Sequence, residues 1–165
     1  MEEVLQKIIA RDFSDLAGLT ANASIPVSGS LINEVITVAL EGVRTIESCQ
    51  VSIYEQNRVS VRLKTSLLPW PLNLKLKLDS SVDFGSFSSP KVRAWLENHR
   101  ALGSLASFFH ALPEWLKLYG DQVVVDLGFF LRTLEQKKIF DLIESVGIRT
   151  EVDKAIFDVK IRVDE

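Results

Sequence analysis

Ten residues in the first third of the chain limit the fold more than any others. In the run from Leu31 to Leu40, Leu31, Ile32, Val35, Ile36, Val38, Ala39 and Leu40 cover most of a helical circumference. The polar positions are chiefly Asn33, Glu34 and Thr37, with Glu41 just beyond. Ser28-Gly29-Ser30 supplies a turn and a cap before this run, and Gly42 a stop after it. A helix apolar nearly all round has to be enclosed. Its β-branched residues are poor helix formers, so packing rather than propensity must hold it. The expectation is a core helix wrapped by other elements.

The wrapping is written in alternation. Residues 20–27 read as a strand that ends at Pro26. Strands over 45–55 and 58–67 are joined by the polar turn Gln56-Asn57, with Val59, Val61 and Leu63 alternating against Ser60, Arg62 and Lys64. Residues 72–79 alternate in the same way, which predicts an antiparallel sheet with one apolar and one wet face. The middle changes rhythm. Ser89-Pro90 opens a helical spacing through Val92, Trp95 and Leu96 to His99, and Leu102, Leu105, Ala106 and Phe109 continue it. Pro113 starts a helical turn through Trp115, Leu116 and Tyr119 that closes at Gly120. A strand over 122–127, a helix from Thr133 with an apolar stripe of Leu134, Ile139, Leu142, Ile143 and Val146, and a hairpin of 147–152 with 155–163 complete the chain, while Val4, Leu5, Ile8 and Ile9 mark a short amphipathic helix within residues 1–13. The predicted class is α+β: a curved, mainly antiparallel sheet around a buried apolar helix, with a helical, aromatic-rich middle segment. Residues 20–67 and 121–164 share a strand, helix and hairpin plan, a pseudo-repeat within one domain spanning 1–165.

Charge and composition narrow the function. Hydrophobic residues make up 47% of the chain, enough for a substantial core, and the net charge of −3 gives no global attraction to nucleic acid or anionic membrane. Arg62, Lys64, Lys75 and Lys77 fall on the outer face of adjacent strands as a local basic stripe that suits phosphates or anionic lipid. It lacks interleaved aromatics, which argues against nucleic acid as the partner. Cys49 is the single cysteine and alternates with Val51 and Ile53 as a small buried hydrophobe. The opening residues mix charge with apolar groups as no secretory leader does, and no stretch approaches about 18 apolar residues, so a membrane-spanning helix is excluded and a cytoplasmic location is expected. His99 and His110 have no cysteine partner and no zinc-ligand spacing. Nucleotide-loop and hydrolase signatures are missing, so no cofactor is expected. Catalysis would need Glu34 or Asp83 placed beside His99 or His110, and the sequence favours a non-enzymatic domain.

Large apolar groups outnumber what the regular elements need. Leu68, Trp70, Phe84, Phe87, Trp95, Phe108, Phe109 and Trp115, with Leu31 and Val35 of the helix, are the candidate lining of a hydrophobic-ligand site. The run Ile25-Pro26-Val27-Ser28-Gly29-Ser30-Leu31-Ile32-Asn33-Glu34-Val35-Ile36, a strand passing into an apolar helix before alternating strands, resembles the tubular lipid-binding (TULIP) superfamily. That resemblance implies a rolled sheet around a long helix, with a lipid or acyl chain held in the gap. A hot-dog fold, with a thioesterase or dehydratase activity, is the competing architecture. It would need an acid or histidine near the helix start, where only Asn33 and Glu34 stand. An interaction or homodimer module using the segment from Trp95 to Trp115 is the other alternative.

Overall fold

The computed structural model describes residues 18–83, 90–98, 113–128 and 142–162. In chain order these form β1 (Thr20–Ser28), α1 (Gly29–Ala39), β2 (Ile46–Tyr54), β3 (Arg58–Thr65), β4 (Leu72–Leu78), β5 (Lys91–Leu96), β6 (Leu116–Tyr119), β7 (Gln122–Asp126), β8 (Ile143–Glu151) and β9 (Lys154–Arg162). Two sheets result, of order β1-β9-β8 and β2-β3-β4-β5-β7-β6, and every pairing is antiparallel. The curved antiparallel sheet of the sequence reading is present. With a single described helix, the described architecture is mainly sheet, coarser than the α+β class expected.

Alternation was a reliable guide where it was clean. In β3 and β4, Val59, Leu63, Leu72, Leu74 and Leu76 are buried while Arg58, Arg62, Lys64, Lys75 and Lys77 are exposed. Leu96 of β5 and Ala155 of β9 join the same core. A smaller cluster of Val82, Val146 and Ile148 fills the junction with β8. The Gln56-Asn57 turn forms as expected, with φ of 61° and 59°. Ser28 caps α1, its side chain accepting from the Leu31 N–H at 3.2 Å.

Three expectations are corrected. The segment from Val92 to Leu96 is not helical but lies in β5, and the Pro113 turn leads into strand β6. Both segments also alternate: Val92, Ala94 and Leu96 face inward against Lys91, Arg93 and Trp95 outward, and Leu116 and Leu118 oppose Lys117 and Tyr119. Pairing with β4 and β7 selects the period of two over the helical spacing. The helix α1 is not enclosed. Ile32 and Leu40 pack on the core, but Leu31, Val35 and Val38 are 48, 50 and 61% exposed, a stripe along its outer side. β1, the strand that opens the first of the two similar plans, pairs with β9 of the second hairpin.

Two asparagines splice the edges together. Asn33 donates from Nδ2 to the Val51 carbonyl at 2.8 Å and accepts the Val51 N–H on Oδ1 at 2.7 Å, so α1 occupies the outer edge of β2. Asn57 does the same across to β8, donating to the Ile148 carbonyl and accepting from the Thr150 N–H, each at 3.0 Å. Residues 79–83 run between β5 and β8: the Asp79 N–H donates to Arg93, Asp83 exchanges backbone bonds with Lys91, and the Ile148 N–H donates to Ser80. An edge strand left bare would template pairing with other chains, and these contacts cover it. The amphipathic segment 1–13, the Leu102–Phe109 rhythm and the Thr133 helix through residue 141 lie outside the described residues, whereas Ile143 and Val146 of that helix's stripe lie in strand β8, where pairing with β9 sets a period of two.

Candidate functional site

The wet face of the six-stranded sheet gathers the polar chemistry. Register across β5, β7 and β6 sets its outward side chains in three rows. Lys91 stands opposite Asp126, whose N–H donates to the Trp115 carbonyl. Arg93 pairs with Val124, and Val124 with Lys117. Trp95 pairs with Gln122, and Gln122 with Tyr119. Cross-strand neighbours of this kind bring their Cβ atoms to about 5 Å. The rows enclose a cleft of about 290 Å³ whose floor is Val124 and Trp115, only 7 and 8% exposed although they point away from the main core. Arg93 is oriented by an ion pair with Asp83, and Asp126 accepts the Gly128 N–H at 2.8 Å. A shallower, more open depression of about 470 Å³ lies beside Lys77, Asn57 and Trp95.

Beyond the cleft the same face continues as a basic surface. Arg58, Ser60 and Arg62 of β3 stand opposite Lys77, Lys75 and Asn73 of β4. Arg58 pairs with Glu97 at 3.4 Å and Lys64 with Glu47 at 2.8 Å. Arg62, Lys75, Lys77, Lys91 and Lys117 make no ion pair among the described residues. The three-stranded sheet is different: Arg149 bonds Asp158 and Glu151, Lys154 bonds Glu151, and Lys160 bonds Glu144. One sheet is charge-compensated and the other leaves five cations open to a partner.

That compensation has a pH signature. The Ser24 hydroxyl, donating to Asp158 at 2.5 Å, and then the Arg149 guanidinium hold the Asp158 carboxyl below its usual 3.8, and Lys154 does the same for Glu151. A carboxylate that titrates lower folded than unfolded adds stability above its unfolded pKa and gives it up as the pH falls through the folded value. Stability is therefore expected to begin falling near pH 4 and to keep falling below it. In an NMR titration Asp158 should move below its ordinary value, and Ser24→Ala should bring it back up; an Asp158 unmoved by Ser24→Ala would contradict this.

At the far end of β3 and β4 a loop carries the most exposed large side chains of this region. The Ser66 N–H donates to the Thr45 carbonyl at 3.1 Å and the Leu68 N–H to the Thr65 hydroxyl at 3.2 Å, which turns Leu68 inward against the core. Leu67 and Trp70 are left 55 and 60% exposed beside the basic strands.

Of the residues expected to line a hydrophobic site, Leu31 and Val35 lie on the open side of α1, Leu68 is half-buried in the core and Trp70 is on the loop. Trp95 and Trp115 stand at opposite corners of the three rows and are not brought together: Trp115 lines the cleft and Trp95 the open depression beside it. Phe84, Phe87, Phe108 and Phe109, with His99 and His110, lie outside the described residues. Lys91, Arg93, Lys117, Gln122 and Asp126 were not singled out in the sequence, although the alternation in 91–96 and 122–126 carried the signal. Asn33, the polar residue at the helix start, is occupied by Val51, and Asp83 by Arg93. Among the described residues no three His, Cys, Asp or Glu converge on a common point. No described helix is long and apolar enough to cross a membrane.

Cys49 is half-buried against the core, and burial pushes its thiol up to about 11. The thiolate is the reactive form, so native Cys49 should label with a maleimide at pH 8 far more slowly than in denaturant. Equal rates in the two conditions would place the sulfur at the surface. Against family models, curated proteins and solved structures the chain gives no match.

Proposed function

We propose that this chain is a non-enzymatic lipid-binding module that docks on an anionic lipid surface through the outer face of its six-stranded sheet, with Leu67 and Trp70 as an apolar anchor. The observation that carries the reading is five cations without carboxylate partners on one sheet face, ending at an exposed tryptophan and leucine. Each Lys or Arg near an anionic leaflet contributes about 1 kcal/mol, and tryptophan prefers the membrane interface. Neither signal suffices alone, and stable peripheral binding takes two. A chain of net charge −3 is repelled overall, so among the described residues this face, with its uncompensated cations, leads the approach. Tyr119 is 60% exposed and Trp95 half-buried on the same face, so single-stranded nucleic acid is the competing ligand that the test has to separate.

Vesicle flotation tests it. Binding is expected to phosphatidylcholine vesicles containing phosphatidylserine, to be absent with phosphatidylcholine alone, and to weaken as salt rises toward about 0.5 M. Equal binding to neutral vesicles, or none to anionic ones, would sink the proposal. Displacement by single-stranded RNA with no vesicle binding would favour nucleic acid.

A second reading has its own support. The stripe of Leu31, Val35 and Val38 is aliphatic and continuous, the kind of surface that an acyl chain or a second copy of the chain covers. Light scattering would separate these: a dimer that Val35→Asp returns to monomer indicates self-association, and a monomer carrying extractable lipid indicates an acyl-chain ligand.

A further inference from the structure

The cleft on β5, β7 and β6 holds more than a charged surface needs. Attraction to a bilayer asks only for cations, whereas a carboxylate, an amide and a phenol set among them favour a ligand that carries hydroxyls as well as negative charge. Here Lys91, Arg93 and Lys117 share one concavity with Asp126, Gln122 and Tyr119, over the apolar floor of Val124 and Trp115. The cations match a phosphate, and Arg93 offers a planar set of donors held in place by Asp83. A carboxylate accepts from hydroxyls, and an amide and a phenol both donate and accept. The volume, about 290 Å³, suits one substituted ring and is small for anything larger. We infer that this cleft binds a phosphorylated polyol, a hydroxylated ring bearing a phosphate ester, either free in solution or as the headgroup of a lipid. The lipid-borne form rests on the docking face proposed above, and the free form does not.

The test uses the full chain and two kinds of probe. In calorimetry, inositol 1-phosphate is expected to bind at least about tenfold more tightly than inorganic phosphate or inositol, and Lys117→Ala to weaken it about tenfold. Lys117 is exposed, so the variant should fold as the parent does. In flotation, vesicles with phosphatidylinositol 4-phosphate are compared with phosphatidylserine vesicles of equal charge. Tight inositol phosphate binding with a preference for the phosphoinositide assigns the lipid source. The same soluble binding without any vesicle binding assigns the free source and removes the docking face. No discrimination among the three soluble probes overturns the cleft inference, and vesicle binding that follows charge alone would then leave the docking face standing.

Discussion

Replacing Lys75 and Lys77 together by glutamate is expected to lower binding to anionic vesicles by about a hundredfold. Both side chains are exposed on β4, opposite Ser60 and Arg58 of β3, and Lys77 is also opposite Trp95 of β5. Two cations lost and two anions gained change the local charge by −4, taking the chain from −3 to −7. At about 1 kcal/mol per charge near an anionic leaflet the ceiling is about 4 kcal/mol. Screening at physiological salt, with Arg62, Lys91 and Lys117 still in place, cuts that to about two-thirds. Folding should be little affected, since exposed substitutions of this kind stay within about 0.5 kcal/mol and Arg58 gains an opposite charge. The matched control is Lys154→Glu with Lys160→Glu on the three-stranded sheet, an equal change in net charge where the lysines are paired with Glu151 and Glu144. If both double variants lose binding alike, bulk charge and not this face governs the interaction.

The largest expected stability effect comes from a single turn residue. Asn57→Ala should lower unfolding stability by about 3 kcal/mol in urea titration. The amide carries two hydrogen bonds to Ile148 and Thr150, and its own N–H donates to the Thr150 hydroxyl at 2.7 Å. That hydroxyl in turn donates to the Tyr54 carbonyl, so one network ties the β2–β3 turn to the edge of β8. Removing the amide strands the Ile148 carbonyl and the Thr150 N–H, which are partly buried. The left-handed φ of 59° adds about 1 kcal/mol against alanine but nothing against glycine. Asn57→Gly should therefore cost about 1 kcal/mol less than Asn57→Ala. Hydrogen exchange at Thr150 should accelerate in both variants. Unchanged protection there would mean the two sheets are held together elsewhere.

Legibility of the sequence followed the strength of its local pattern. In residues 58–64 and 72–78, strict alternation admits one face inward, so β3, β4 and their basic outer stripe were readable residue by residue. The cap at Ser28 and the turn at Gln56-Asn57 were equally local. In residues 92–96 the spacing of Val92 and Leu96 fits a helix while Val92, Ala94 and Leu96 fit a strand, and a segment this short cannot arbitrate between them. The error propagated into function, because reading β5 as a helix hid Lys91, Arg93 and Trp95 as neighbours on one face. For the helix at 31–40 the count of apolar residues implied enclosure, but a small mainly sheet fold covers only one side of it.

What the chain dictates alone is the alternation of its strands, the apolar character of α1, and the absence of an apolar run long enough for a membrane-crossing helix. What only the folded molecule decides is partnership across distance: β1 beside β9, β7 between β5 and β6, Asn57 on the edge of β8. Backbone hydrogen bonds between strands are indifferent to side-chain identity, so the sequence encodes which face of a strand is wet far better than which strand lies next to it. The cleft exists only because β5 lies beside the β6–β7 hairpin with their wet faces in register.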